Sequence, residues 1–120
     1  MKNEQLKHLT EELLTFCKEI LHNFEEAKEA RIEGDFYRDV LPFSNRVKET
    51  LNVWEQEVMQ WMKSCTPRNL NEKQIKSIKE QLEILTVQAF FPTTSKTRFI
   101  HTLHSVEYVL KTVLMEIESC

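Results

Sequence analysis

Hydrophobic residues recur along this chain at steps of three and four, the period of a helix with one buried face. The longest such series is Phe36, Val40, Phe43, Val47, Leu51, Trp54, Val58, Trp61 and Cys65. It holds both tryptophans and crosses Pro42, whose ring crowds the preceding turn and whose nitrogen cannot donate. The spacing predicts a central helix over 36–65, bent or broken near Pro42. Asp35 is placed to cap a first piece and Ser44 a second one starting at Asn45.

Three further series flank it. Leu6, Leu9, Leu13, Phe16, Ile20, Phe24 and Ala27 predict a first helix over 3–31, and Leu14, Cys17 and Leu21 widen its inner face to the breadth a bundle needs. Its other side, with Glu11, Glu12, Glu19, Glu25, Glu26 and Glu29, reads as a solvated face. Gly34, the single glycine, is expected to end this helix in the left-handed conformation. After a loop over 66–71, Asn71 and Gln74 have capping-box spacing, and Leu70 with Ile75 has that of a hydrophobic staple. The third helix then turns Ile75, Ile78, Leu82, Leu85 and Ala89 inward, and Pro92 stops it. Thr93, Thr94 and Ser95 are expected to supply capping hydroxyls for a last helix reaching 118, with Phe99, Leu103, Val106, Leu110, Val113 and Ile117 inside. Four helices joined by short connections run antiparallel to their neighbours. The expected fold is all-α, an antiparallel up-down-up-down four-helix bundle forming one domain over 1–120.

Composition agrees with this. The chain has one glycine and three prolines, too little turn material for an all-β fold. Hydrophobic residues at 41% and charged residues at 29% are those of a packed globular protein. No apolar run approaches the roughly 20 residues of a membrane span. The opening residues Met1-Lys2-Asn3-Glu4-Gln5 lack a signal peptide's apolar core, so a cytoplasmic location is expected. Cys17, Cys65 and Cys120 are odd in number and form no C-x-x-C pair, which indicates neither a zinc site nor a disulfide framework. They read as free thiols, the first two as small core residues and Cys120 as exposed.

Net charge is −3, unevenly placed: residues 1–62 sum to −5 and residues 63–120 to +2. Nucleic-acid binding is not expected from that total. The basic residues of the second half nonetheless cluster. Lys73, Lys76 and Lys79 form a ridge on the third helix, with Lys63 and Arg68 before it; for these, and for Lys96 and Arg98, pairing with the acid-rich first helix is the plainer expectation. Thr94, Ser95, Lys96 and Arg98 gather at the start of the fourth helix. There, free N–H groups and the helix dipole make a candidate site for a phosphate or carboxylate.

Four-helix bundles also house di-metal centres, which need inward carboxylates and Glu-x-x-His pairs on facing helices. Glu19-Ile20-Leu21-His22 matches that string once, and His101, His104 and Glu107 lie near one another on the fourth helix. With the apolar stripes turned inward, His22 and His101 face out. No metal site and no cofactor is expected. Neither a G-x-S-x-G motif nor a glycine-rich phosphate loop is present, and no catalytic residues are assigned.

A second apolar series distinguishes the third helix. Ile84, Val87 and Phe91, with Phe90 adjacent, recur on the side opposite Leu82 and Leu85. A helix apolar on both sides is covered twice or exposes a sticky patch. Internal cover by Phe36, Tyr37 or Leu41 is the plainer expectation. The functional one is that Ile84, Val87, Phe90 and Phe91 form an interface with a second copy or another protein.

Taken together, Asp35-Phe36-Tyr37 with Pro42, Trp54, Pro67, Gln74-Ile75, Leu85 with Gln88, Lys96-x-Arg98-Phe99, Ser105-Val106-x-Tyr108 and Glu116-Ile117 resemble the YppE-like family of small proteins from Bacillus-type bacteria, a domain of unknown function. The resemblance covers most of the chain after Gly34 and implies a cytoplasmic four-helix bundle. It brings no activity. The reading is then a non-catalytic protein-interaction module; the alternative is a binder of a small anion or phosphorylated ligand at the start of the fourth helix.

Overall fold

The computed structural model describes residues 3–120; Met1 and Lys2, at the head of the run tested above for a signal peptide, lie outside the described residues. Four helices build it: α1 (Glu4–Ala30), α2 (Leu41–Cys65), α3 (Glu72–Gln88) and α4 (Lys96–Ser119). A π-helical turn, Phe36–Val40, runs directly into α2. Each helix packs along the next and α1 closes on α4, the order of an up-down bundle, with extents of 46 × 26 × 20 Å. No described helix is long and apolar enough to cross a membrane.

The inner stripes form one core. From α1 it takes Leu6, Leu13, Phe16, Cys17, Ile20 and Phe24, from α2 Phe43 through Trp61, and from α3 Ile75, Ile78, Leu82 and Leu85. The α4 contribution is Phe99, Leu103, Val106, Val109, Leu110 and Val113. Phe24 stacks on Phe99 with ring centroids 4.0 Å apart, joining α1 to α4. Trp54 is fully buried, and its Nε1 donates to Thr10 Oγ1 at 3.0 Å. That hydroxyl donates in turn to Leu6 O at 2.7 Å, so a polar chain is satisfied inside the core, where an unpaired N–H is costly. Thr10 lies off the apolar series and was invisible to it. Trp61 Nε1 is buried and has no hydrogen-bond partner among the described residues.

Several local expectations are corrected. α1 ends at Ala30, with Arg31 in the left-handed conformation at φ 56° and its N–H on Ala27 O at 2.8 Å. Gly34 has no positive φ. It is required for another reason: a Cβ there would lie 2.7 Å from Phe90 Cδ1, and its N–H donates to Phe90 O at 3.0 Å. Asp35 does cap the segment that follows, accepting from Arg38 N at 2.8 Å. Ser44 does not restart a helix but lies buried within α2. Pro42 falls in the first turn of α2, immediately after the π turn. Widening that turn to i→i−5 bonds, as in Val40 N to Asp35 O at 3.1 Å, makes room for a ring that an α-turn would clash with. The two pieces are thereby joined without a capped break. Phe36, the first member of the long series, is 56% exposed, so the buried face starts at Val40.

At the start of α3, Asn71 and Gln74 form the capping box, each side chain accepting from the other's backbone N–H at 2.9 Å. The cysteines depart from the free-thiol expectation. Cys17 is buried and free, but Cys65 and Cys120 are bonded to each other. The end of α2 and the end of α4 meet at one end of the bundle, a closeness that spacing along the chain cannot express.

Candidate functional site

The antiparallel order gathers the end of α1, the start of α2, the end of α3 and the start of α4 at one end of the molecule. The predicted site residues lie toward that end. On α3, Leu82 and Leu85 are buried, whereas Ile84 is 54% and Val87 37% exposed on the opposite side. The expected internal cover does not form over them. Phe36 and Tyr37 are exposed and pack edge-on against each other, with ring centroids 5.2 Å apart. What the 34–43 segment does cover is Phe90, which is half-buried, meets Gly34, and packs edge-on to Phe43 at 6.1 Å. Phe91 is half-buried in the turn after α3, its carbonyl accepting from Thr94 N at 3.1 Å. The four candidate interface residues therefore separate into an open pair, Ile84 and Val87, and a partly covered pair, Phe90 and Phe91.

Two shallow grooves meet at Ile84. One, of about 480 Å³, lies between α2 and α3 and is lined by Ser44, Lys48, Glu80, Glu83, Val87 and Gln88 besides Ile84. The other, of about 400 Å³, lies between α3 and α4 and includes Ile84, Gln88, Thr94, Ser95 and Arg98. The structure thus joins the two candidate sites that the sequence placed apart. Lys96 is exposed but does not line this groove.

The capping expected for α4 is not made. Ser95 occupies the N-cap with an extended backbone, φ −63° and ψ 120°, yet its hydroxyl accepts no cap hydrogen bond. Thr94 Oγ1 instead turns back and donates to Gln88 O at 2.9 Å, closing the α3–α4 turn. The first N–H groups of α4 lack a side-chain acceptor while Arg98 stands beside them, an arrangement suited to an anion.

Neither the basic ridge nor Lys96 or Arg98 forms an ion pair with α1 among the described residues. Among the described residues, Lys79 forms the ridge's ion pair, to Glu55 of α2 at 3.3 Å. α3 lies between α2 and α4 and sits diagonally across from α1, so its lysines and the acidic face of α1 point to different solvent sides. His22 lies on the surface and meets Glu26 at 3.1 Å, and His101 is exposed. No group of three or more ligand-type side chains among the described residues is placed to hold a metal ion.

Sequence reasoning passed over a third concavity, of about 610 Å³, between the end of α1 and the π turn. His22, Glu26, Arg38, Asp39 and Arg46 line it with Phe43 and Phe90. Asp39 Oδ2 accepts from Asp35 N at 2.9 Å, and Arg38 Nε donates to Asp39 Oδ1 at 3.2 Å. The Arg38 guanidinium, with the Asp35 N–H, holds the Asp39 carboxyl below the usual carboxylate range. Arg46 lies over the Phe43 and Phe16 rings at 5.3 and 5.8 Å. The signal was present in Asp35-Phe36-Tyr37-Arg38-Asp39, where two carboxylates flank an arginine, but only the cap was legible without the turn's geometry.

The fold and these surfaces define an all-α up-down bundle whose grooves lie between adjacent helices. Residues 10–117 match the bacterial domain of unknown function DUF1798, and the chain belongs to that family. It is 24% identical over 117 residues to the uncharacterized protein YppE of Bacillus subtilis (strain 168), covering 98% of this chain and 95% of that protein. The crystal structure of that YppE superposes with a TM-score of 0.92 at 24% identity, covering 99% of this chain and 97% of the other. A Listeria innocua protein of unknown function is similar at a TM-score of 0.90 and 23% identity, over 96% and 92% of the two chains. A DUF1798 protein from Staphylococcus aureus gives 0.84 at 27% identity, over 93% and 95%.

Proposed function

We propose that this protein is a single-domain, cytoplasmic, non-catalytic interaction module that docks another protein through the outer face of α3. The observation that carries the reading is the pair Ile84 and Val87, left in solvent at the junction of two inter-helix grooves. Apolar side chains standing alone on a surface are ordinary; a pair that continues into two adjacent grooves offers a partner helix an anchor and a track. The test replaces both residues, Ile84→Glu with Val87→Glu, and compares the variant with the wild type by affinity capture from the native host and by sedimentation. A partner or dimer lost in the variant, with melting unchanged, is the expected result. Identical captured proteins and identical monomeric mass for both forms would overturn the reading.

The uncapped start of α4 beside Arg98 favours a second reading, a small anion or phosphorylated ligand bound there. A ligand specific to the folded state stabilises it by about 2.7 kcal/mol at a hundredfold excess over Kd. Sulfate and phosphate should then raise the melting temperature of the wild type and not of the Lys96→Ala, Arg98→Ala variant. An equal rise in both would sink this reading.

A further inference from the structure

We propose that Cys65 and Cys120 are a reversible thiol–disulfide exchange site, with a low-molecular-weight disulfide as its co-substrate. Their Cα atoms are 6.2 Å apart although 55 residues separate them in sequence, a spacing that a disulfide bridges without moving the backbone. Cys120 is exposed and Cys65 half-buried, and both line a groove of about 870 Å³ at the end of the bundle away from Ile84. Arg68, Lys111 and Glu116 line the same groove, so charged side chains of both signs surround the pair, and the thiolate is the form that does the chemistry. The third cysteine takes no part. Cys17 is fully enclosed between the helices, where burial pushes its thiol up to about 12.

Exposure orders the exchange. The Cys120 thiolate attacks one sulfur of the small disulfide RSSR and expels RS⁻, leaving a mixed disulfide on Cys120. The Cys65 thiolate then attacks the Cys120 sulfur, the Cys65–Cys120 bond forms, and a second RS⁻ leaves. Two protein thiols surrender two electrons to RSSR, and their protons end on two RSH. The reverse sequence, driven by excess RSH, reopens the pair.

The bond changes the local structure. Between the 66–71 loop and the end of α4, the side chains supply one hydrogen bond, Asn69 Nδ2 to Glu116 Oε1 at 2.8 Å, in an exposed setting. Cys65–Cys120 is the stronger tie across that seam. Reduction releases the last turn of α4, which ends in the exposed Glu118, Ser119 and Cys120, and frees one wall of the groove. Reversible pairing also suits a reducing compartment, in which permanent structural disulfides are rare.

The test uses the full chain, first reduced, then incubated with oxidised glutathione, denatured and alkylated for mass measurement. One alkylated cysteine per monomer is expected after oxidation and three after treatment with reduced glutathione. Melting should fall by roughly 10 °C on reduction of the wild type, because the bond closes a long loop in the unfolded chain. Cys65→Ser and Cys120→Ser variants should melt like the reduced wild type and ignore the oxidant. Three alkylations after oxidation, a persistent glutathione adduct, disulfide-linked dimers, or a bond that glutathione cannot reopen would each overturn the proposal.

Discussion

α2 and α3 are neighbours with the same helical period, and the bundle treats their apolar residues differently. On α2 Phe43, Val47, Leu51, Trp54, Val58 and Trp61 face one core, with Val53 standing singly in solvent, and the donor of Trp54 is satisfied by Thr10 of α1. On α3 the series splits in two. Ile75, Ile78, Leu82 and Leu85 enter the core, whereas Ile84 and Val87 stay in solvent beside the grooves that α2 and α4 make with α3. Adjacent hydrophobic residues on one helix thus have opposite energetic roles. Covering a stripe removes apolar area from water; leaving one open keeps that free energy available for a partner.

Mutations can break this contrast or sharpen it. Leu82→Ala removes a side chain with no solvent exposure and should cost about 2–5 kcal/mol in urea or thermal unfolding. A loss below about 1 kcal/mol would mean that the inner stripe of α3 is not packed as described. Thr10→Val keeps the shape but strands the Trp54 N–H in the core, with an expected cost of about 1–3 kcal/mol. Coupling to Trp54→Phe in a double-mutant cycle would assign that cost to the hydrogen bond, and simple additivity would deny it. Gly34→Ala pushes a methyl group against Phe90 and should destabilise by about 1–2 kcal/mol, much of it relieved when Phe90→Ala is added. An unrelieved loss would point to the backbone instead of the close approach. The smallest effect belongs to Ile84→Ala, expected within about 0.5 kcal/mol of wild type. A loss comparable to that of Leu82→Ala would show that the outer face of α3 is covered after all.

Much of the fold was legible because it depends on local order. The stripes of α1, α2, α3 and α4 follow from residue type at fixed steps, and Asn71 with Gln74 announces the start of α3 three residues apart. The candidate site was legible in pieces: Ile84 and Val87 by their period, Thr94, Ser95 and Arg98 by their place around the start of a helix. Their meeting around Gln88 was not, since it depends on how α3 and α4 lie side by side. Gly34 shows the same limit from another side. A glycine after a helix reads as a left-handed stop, yet this one answers to a phenyl ring 56 residues further along the chain.

By itself, the sequence determined that this protein is four helices with broad apolar faces, how long each is within a few residues, and which face turns inward. Those properties arise from side chains three or four positions apart, which is as far as a helical period reaches. Tertiary structure alone decided which faces were left uncovered, that a π turn and not a capped break accommodates Pro42, and that Thr10 serves Trp54. It also brought Cys65 and Cys120 within bonding distance. Each of these depends on which helix ends and surfaces come together in space, and the packing of four helices sets that, whatever the spacing along one of them.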